Sequence, residues 1–109
     1  MIRVYIYTNA HADVQSFKAY DHGDPVVCAA VSALTLNTIN SIEFFTDDVF
    51  TCDYDQAGGF LFFESQSAKA NETKTDVKLL LDSFRLGIES ISDNYGAEIS
   101  LYVNDVLQH

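Results

Sequence analysis

The chain has 109 residues, of which 48% are apolar and 20% charged, and its formal net charge is −10. This length and composition predict one globular domain, residues 1–109, with a single hydrophobic core, and they exclude a second domain of ordinary size. Only six residues are Lys or Arg, and phosphate binding needs clustered cations, so we expect no direct nucleic-acid ligand. A basic protein or peptide suits the acidic charge better as a partner.

The sequence gives no indication of export, membrane insertion or a bound cofactor. The N-terminus lacks the basic, apolar and small-residue order of a secretory signal, and we expect no apolar run of membrane-spanning length. Two cysteines do not make a disulfide framework, and His11, His22 and His109 are too scattered for a zinc site. We therefore expect a cytoplasmic protein with no metal and no cofactor.

The first twenty residues predict a β-hairpin. Ile2, Val4 and Ile6 lie at alternate positions, as in a strand with one buried face. A second strand-like run covers residues 14–21, and the polar segment 9–13 between the two reads as the turn. His11 lies in that turn.

The next stretch places a cysteine at the start of an apolar helix. Gly23 allows a sharp exit from the second strand, Asp24 can cap a helix, and Pro25 suits the first helical turn. Cys28 then falls in the first or second turn, where the helix dipole and free amide N–H groups favour a thiolate and can hold an oxyanion. Ser32 follows one turn later on the same face. The alternative is that Cys28 is a small apolar residue buried in an Ala-rich helix.

The remaining chain completes a two-layer pattern. The first helix covers residues 27–44 and buries Val27, Val31, Leu34, Thr38 and Ile42. Runs 50–54 and 60–64 flank a Gly-rich turn and predict a hairpin. We expect Cys52 in its first strand to be a packed residue without a catalytic role.

Residues 65–75 predict a surface loop, and 76–95 a second helix whose apolar residues recur at steps of three and four: Val77, Leu81, Phe84, Ile88, Ile91 and Tyr95. Ile99, Leu101 and Val103 then alternate as a last strand. The order ββαββαβ indicates an α+β two-layer sandwich, with two helices on one face of a mainly antiparallel sheet.

The stretch that opens the first helix resembles a motif of the ribosomal-processing cysteine protease family of bacteria. Residues 27–32 read Val-Cys-Ala-Ala-Val-Ser, as in that family, and Gly23 stands at the expected offset before Cys28. Pro25 takes the place of an expected aspartate, with Asp24 one position earlier. The family's Gly-His-Ala motif is present only in part.

Two histidines compete for the place of the family's histidine. His11 is followed by Ala12, as in the motif, but it is seventeen residues before Cys28 and lies in the predicted turn. His22 is six residues before Cys28, between Asp21 and Gly23, at the end of a strand-like run. We prefer His22, which implies a shortened loop over the site.

The resemblance implies an α+β sandwich that forms a homodimer and removes an N-terminal extension from a basic large-subunit ribosomal protein. His22 would take the proton from Cys28, and Ser32 would support the pair by a hydrogen bond; Asp21 and Asp24 are candidates for a third member. Two other functions stay open: a peptide-binding homologue without turnover, and a thiol redox sensor in which Cys28 is oxidised.

Overall fold

A computed structural model describes residues 1–20 and 23–108. Within these ranges the strands are β1 (Ile2–Thr8), β2 (Val14–Tyr20), β3 (Phe50–Tyr54), β4 (Leu61–Ser65), β5 (Ile99–Val103) and β6 (Val106–Leu107). The helices are α1 (Pro25–Phe45), α2 (Gln66–Lys69) and α3 (Thr75–Asn94).

The strands form one sheet in the order β3-β4-β2-β1-β5-β6. β1 pairs in parallel with β5, whereas the other pairs, β1–β2, β2–β4, β3–β4 and β5–β6, are antiparallel. A parallel pair needs a long crossover, and the chain between β1 and β5 supplies it with both long helices. The predicted α+β class and the mainly antiparallel sheet are confirmed.

The alternating residues of β1 form the centre of the core. Val4 lies opposite Ala19 of β2 and Leu101 of β5, and Ile6 lies opposite Phe17. The remaining side chains of this core cluster come from these strands, β4 and the two long helices: Ile2, Val14, Val27, Val31, Ile39, Ile42, Phe63, Val77, Leu81, Phe84, Ile88 and Ile99.

The second predicted helix is confirmed as α3 within one residue at each end. Its buried residues are Val77, Leu81, Phe84 and Ile88, and the Phe84 ring stacks on that of Phe17 with centroids 4.1 Å apart. Ile91 is only partly buried and packs against the edge of the core.

α1 and α3 pack against each other in antiparallel directions. Lys74, before α3, pairs with Asp47, after α1, and Gly87 lies against Leu34 in the middle. A Cβ atom at Gly87 would lie 2.7 Å from Leu34 Cδ2, so glycine permits this close approach. Leu34, which we expected to be buried in the core, is therefore partly buried between the helices.

α1 is long and apolar enough, by length and composition, to cross a membrane. The expectation that no apolar run reaches this length is wrong by that measure, because Ala, Val, Leu and Ile outweigh the few amides in the segment. Its buried face, which includes Val31, Ile39 and Ile42, packs in the core. The core helix of a soluble protein passes the same test.

Three local expectations differ from the structure. Cys52 does not pack in the core but is exposed, because it lies on the edge strand β3, of which only Phe50 is partly buried. The predicted loop 65–75 contains α2, which Ser65 caps by accepting a hydrogen bond from the Ala68 N–H at 3.2 Å. The chain also folds back after β5 to form β6.

Candidate active site

Asp24 fixes the first turn of α1, as its predicted role as a cap requires. Its Oδ1 accepts hydrogen bonds from the N–H groups of Val26 at 2.9 Å and Val27 at 3.2 Å. Its main-chain carbonyl accepts the N–H of Cys28 at 2.9 Å. Pro25, at the first helical position, has no N–H to satisfy. Asp24 therefore accepts all three of the N–H hydrogen bonds in the helical turn that contains Cys28.

This arrangement changes the expected source of oxyanion binding. We expected free amides at the start of α1, but the Val26, Val27 and Cys28 N–H groups all donate to Asp24. The first-turn amides, as we call those of Val26 and Val27, can reach an oxyanion only if the Asp24 carboxylate turns away. The Asp24 carboxylate serves as the cap of α1 because it accepts these two N–H groups. Its candidacy as a third catalytic member stays a prediction.

Cys28 is partly buried on α1. Helical spacing places it on the same flank as Ser32 and Leu36, which follow at intervals of four residues, and those two residues line a groove together with the β3–β4 hairpin. The preceding Gly23 lies beside Ile2, since a Cβ atom there would be 3.5 Å from Ile2. The loop that leads into α1 thus lies beside the start of β1.

A groove of about 230 Å³ begins one turn beyond Cys28. Ser32, Thr35 and Leu36 of α1 form one wall. The opposite wall and the floor come from β2, the ends of β3 and β4, and their turn: Ala19, Tyr54, Asp55, Gly58, Gly59, Phe60 and Leu61. The lining is mostly apolar, and among residues 1–20 and 23–108 Asp55 is its one carboxylate. Such a groove suits an apolar side chain of an extended peptide.

The two glycines of the β3–β4 turn shape the far end of the groove. Gly58 and Gly59 have φ values of +84° and +95°, which favour glycine. The Gly58 N–H donates to the Asp55 carbonyl at 2.9 Å, and the Asp55 N–H donates to the Phe60 carbonyl at 3.1 Å. The turn therefore holds a fixed backbone beside the apolar lining.

Ser32 is one turn beyond Cys28, as predicted, but its hydroxyl makes no hydrogen bond to the Cys28 thiol within residues 1–20 and 23–108. Its carbonyl accepts the Thr35 hydroxyl at 3.0 Å. The supporting role assigned to the Ser32 hydroxyl stays a prediction.

The two candidate histidines differ in what can be said of them. His11 lies in the turn between β1 and β2, where its main-chain N–H donates to Asn9 Oδ1 at 2.9 Å. β1 has seven residues, and at about 3.3 Å per residue its two ends are roughly 20 Å apart. His11 is thus at the opposite end of the strand from Gly23 and the start of α1. His22, the preferred base, and Asp21 lie outside the described residues.

Cys52 lies in a different setting from Cys28. It is exposed on β3, next to Asp53. Partial desolvation of the sulfur, with a smaller contribution from the Asp53 carboxylate, raises the pKa of the Cys52 thiol. A thiol with a raised pKa is a poor nucleophile at neutral pH, so the structure offers no catalytic setting for Cys52.

The described ranges contain no group of three His, Cys, Asp or Glu side chains that could hold a metal ion. The groove walls were not evident from the sequence. The order of the strands in the sheet brings the β3–β4 hairpin beside Ser32, and the sequence does not show that order. The Asp55–Gly59 turn was the one available signal, and it indicated a hairpin without showing what faces it.

The chain is similar in sequence to known proteins. The ribosomal processing cysteine protease Prp of Bacillus subtilis (strain 168) is 24% identical over 84 residues, covering 77% of this chain and 75% of the relative. A relative of the same name from Staphylococcus aureus (strain Mu50) is 26% identical over 81 residues, covering 74% and 73%.

Solved structures share the fold over almost the whole chain. The S. aureus ribosomal processing protease Prp with a covalently linked product peptide superposes with a TM-score of 0.83 at 25% identity, covering 94% of this chain and 99% of that one. SMU.848 from Streptococcus mutans gives a TM-score of 0.81 at 25% identity, covering 94% and 93%. The sequence profile of the family described as cysteine protease Prp matches residues 1–100. The chain therefore belongs to the Prp family of cysteine proteases.

Proposed function

We propose that this chain is a cysteine endopeptidase that removes an N-terminal extension from a basic large-subunit ribosomal protein. The observation that carries the proposal is a cysteine in the first turn of α1, next to an apolar groove, in a chain of the Prp family. The S. aureus relative has been solved both with a substrate peptide and with a covalently linked product peptide. A peptide is therefore the natural substrate class.

The proposed mechanism is acyl transfer through a thioester. His22 takes the proton from the Cys28 thiol, and the thiolate attacks the carbonyl carbon of the scissile peptide bond. The C–N bond then breaks, and the leaving amine receives the proton from His22. Water hydrolyses the thioester, releases the new carboxylate and restores the thiol. The tetrahedral oxyanion needs N–H donors, and the first-turn amides serve only when Asp24 releases them.

The substrate is held by its apolar side chains and steered by its charge. The groove that begins at Ser32 takes an apolar side chain close to the scissile bond. The chain's net charge of −10 attracts a precursor rich in Lys and Arg and speeds their encounter. This attraction weakens with salt, because screening shortens its range.

We further propose a homodimer. The outward face of the first half of α1 is apolar and exposed, with Val26 at 69% exposure and with Ala29, Ala30 and Ala33. A helix that is apolar on every side is typical of a buried helix, and a second copy would cover this one. A molar mass equal to one chain, measured by light scattering, would contradict the dimer. The single domain and the cytoplasmic location stay predictions.

A peptide-binding homologue without turnover is the second candidate. The observation that favours it is the occupation of the first-turn amides by Asp24, which leaves them closed to an oxyanion. Such a protein would bind the same peptide in the same groove and release it intact.

The proposal is tested with a peptide spanning the junction between the extension and the mature ribosomal protein. Wild-type protein should cleave it, and Cys28→Ala should abolish cleavage while binding survives within a few-fold. His22→Ala should slow cleavage by about 100-fold, the usual scale for a lost general base. His11→Ala is the matched control and should cleave normally, because its turn is distant from Cys28. Tight binding without cleavage by the wild type would favour the second candidate.

A further inference from the structure

β3 is the last strand at one edge of the sheet that residues 1–20 and 23–108 form. It has five residues, and its register with β4 is not interrupted by a bulge. Four of the five residues, 51–54, are exposed. Soluble proteins usually protect such an edge with a Lys, a Pro, a bulge or a very short strand. The other edge strand, β6, has two residues, whereas β3 is longer and contains neither Lys nor Pro.

The main-chain groups of β3 point alternately toward β4 and away from the sheet. Near one end of the pair, the Asp55 N–H donates to the Phe60 carbonyl at 3.1 Å. Near the other end, the Gln66 N–H donates to the Val49 carbonyl at 2.9 Å. In an antiparallel pair, every second residue is hydrogen-bonded to the partner, and the groups of the residues between them point outward. The residues of β3 whose N–H and C=O groups point outward are therefore Phe50, Cys52 and Tyr54.

The side chains of β3 alternate between the two faces of the sheet. The ring centroid of Phe50 lies 5.3 Å from that of Phe63 in the core, so Phe50 is on the helix side. Cys52 and Tyr54 follow on that side, and Tyr54 lines the groove of the candidate active site. Asp53 is on the opposite, open face. An added strand would therefore place every second side chain on the helix side and the others beside Asp53.

The chain around β3 is negatively charged. Residues 46–60 include four Asp and no Lys or Arg. Asp53 and Asp55 make no ion pair within the part of the chain that the structure describes. Lys18 shares the open face with Asp53, but both lie opposite Phe62, so they are two strands or about 10 Å apart. A cationic side chain therefore suits a position next to Asp53, and an acidic one does not.

We propose that the basic substrate adds to the edge of β3 as a further, extended strand, held by the outward main-chain groups. Its side chains are apolar on the helix side and include a Lys or Arg beside Asp53. Main-chain pairing with a sheet edge is an established mode of peptide recognition. The identity of the peptide rests on the proposed function.

Two observations favour the substrate over a second copy of the chain as the added strand. The edge continues into the candidate active site, because Tyr54 belongs both to β3 and to the groove. The homodimer proposed above uses the outward face of α1 and leaves β3 free.

The first measurement uses the Cys28→Ala protein and a fluorescein-labelled peptide that spans the junction between the extension and the mature ribosomal protein. Copies of the peptide each have one N-methyl group, at successive backbone nitrogens, and binding is followed by fluorescence anisotropy. A methyl group that faces β3 should weaken binding by about fivefold or more, and one that faces away by less than about twofold. We expect this alternation over about five residues. No binding, or no alternation, would overturn the proposal.

The second measurement removes one N–H group from the protein. Proline is tolerated on an edge strand where the N–H faces outward, so Cys52→Pro, made in the Cys28→Ala protein, keeps the pairing with β4. It should bind the unmethylated peptide about fivefold or more weakly than Cys52→Ala, which also lacks the thiol but keeps the N–H. Equal affinities of these two variants would overturn the proposal.

The matched control is Leu107→Pro, a proline on the other edge strand. The Gln108 N–H donates to the Leu101 carbonyl, so the Leu107 N–H between the paired residues also points outward. This variant should keep the affinity within about twofold, as is usual for residues outside a contact. An equal loss in Leu107→Pro and Cys52→Pro would contradict binding at β3.

Asp53→Asn should weaken binding by about two- to fivefold and reduce its salt dependence, which is the scale of an exposed ion pair. Light scattering tests the other occupant. A lower molar mass for Cys52→Pro than for Cys52→Ala, with equal peptide affinities, would overturn the proposal and show that β3 pairs with a second copy. Failure of the wild type to cleave the junction peptide would instead contradict the proposed function, and it would leave these binding results unchanged.

Discussion

The two long helices lie on the same face of the sheet and have almost the same length, but only one is explained by packing. In α3, apolar residues at helical spacing are buried, and the opposite side is mostly polar. In α1, Thr35 and Thr38 are buried, while Val26, Leu36 and Phe44 are exposed. The exposed apolar residues of α1 do not stabilise the fold by burial, so they need another explanation.

Two exposed residues of α1 that break the packing rule lie at surfaces with a proposed role. Leu36 lines the groove that begins one turn beyond Cys28, and Val26 lies on the outward face proposed for the dimer. Local conflicts between sequence and structure are expected at functional sites, where another requirement competes with stability. In α3 the large exposed apolar residues are Leu79 and Leu86, and we assign that helix no role beyond support.

The largest expected effect concerns α3. Phe84 is 1% exposed and stacks on Phe17, so Phe84→Ala should lower the free energy of unfolding by about 3 to 5 kcal/mol through lost burial and a cavity. Leu86→Ala, two residues away on the exposed side, should change it by less than about 0.5 kcal/mol. Urea unfolding measures both. Equal effects for the two variants would mean that the buried face of α3 is assigned wrongly.

A smaller effect is expected at the start of α1. Asp24→Ala removes the side chain that accepts the Val26 and Val27 N–H groups, and should cost about 1 kcal/mol of unfolding free energy. Asp24→Asn should cost little, because asparagine caps a helix as well as aspartate does. The same urea experiment compares them. An Asn variant as unstable as the Ala variant would show that charge, instead of capping, is what Asp24 supplies.

Much of the fold was predictable, because local periodicity in the sequence indicates most of the helices and strands. The apolar steps from Val77 to Ile88 predicted α3 within one residue, and the 55–59 turn predicted the hairpin around it. Cys52 was assigned wrongly, since alternation indicates which side of a strand a residue faces but not whether a helix covers that side. β6 was missed although Asn104 and Asp105, with φ values of +49° and +66°, form the kind of two-residue turn that closes hairpins.

The site was predictable only where it is local in sequence. Asp24, Cys28 and Ser32 lie within nine residues, and helical spacing alone places Ser32 one turn beyond the cysteine. The groove depends on contact between α1 and a hairpin about twenty residues further along the chain, which no local pattern encodes. The first-turn amides were predicted to be free, because the sequence shows a capping residue without showing how completely it occupies the turn.

The most direct test of the account is the covalent state of Cys28 during turnover. We predict that acid quenching of a reaction with the junction peptide yields a protein whose mass is increased by the acyl fragment, and that peptide mapping places this fragment on Cys28. Cys52→Ala is the matched control and should retain the adduct, since the pKa of the Cys52 thiol is raised and the residue lies on an edge strand. Cleavage of the peptide by Cys28→Ala, or an adduct on Cys52 alone, would contradict the account.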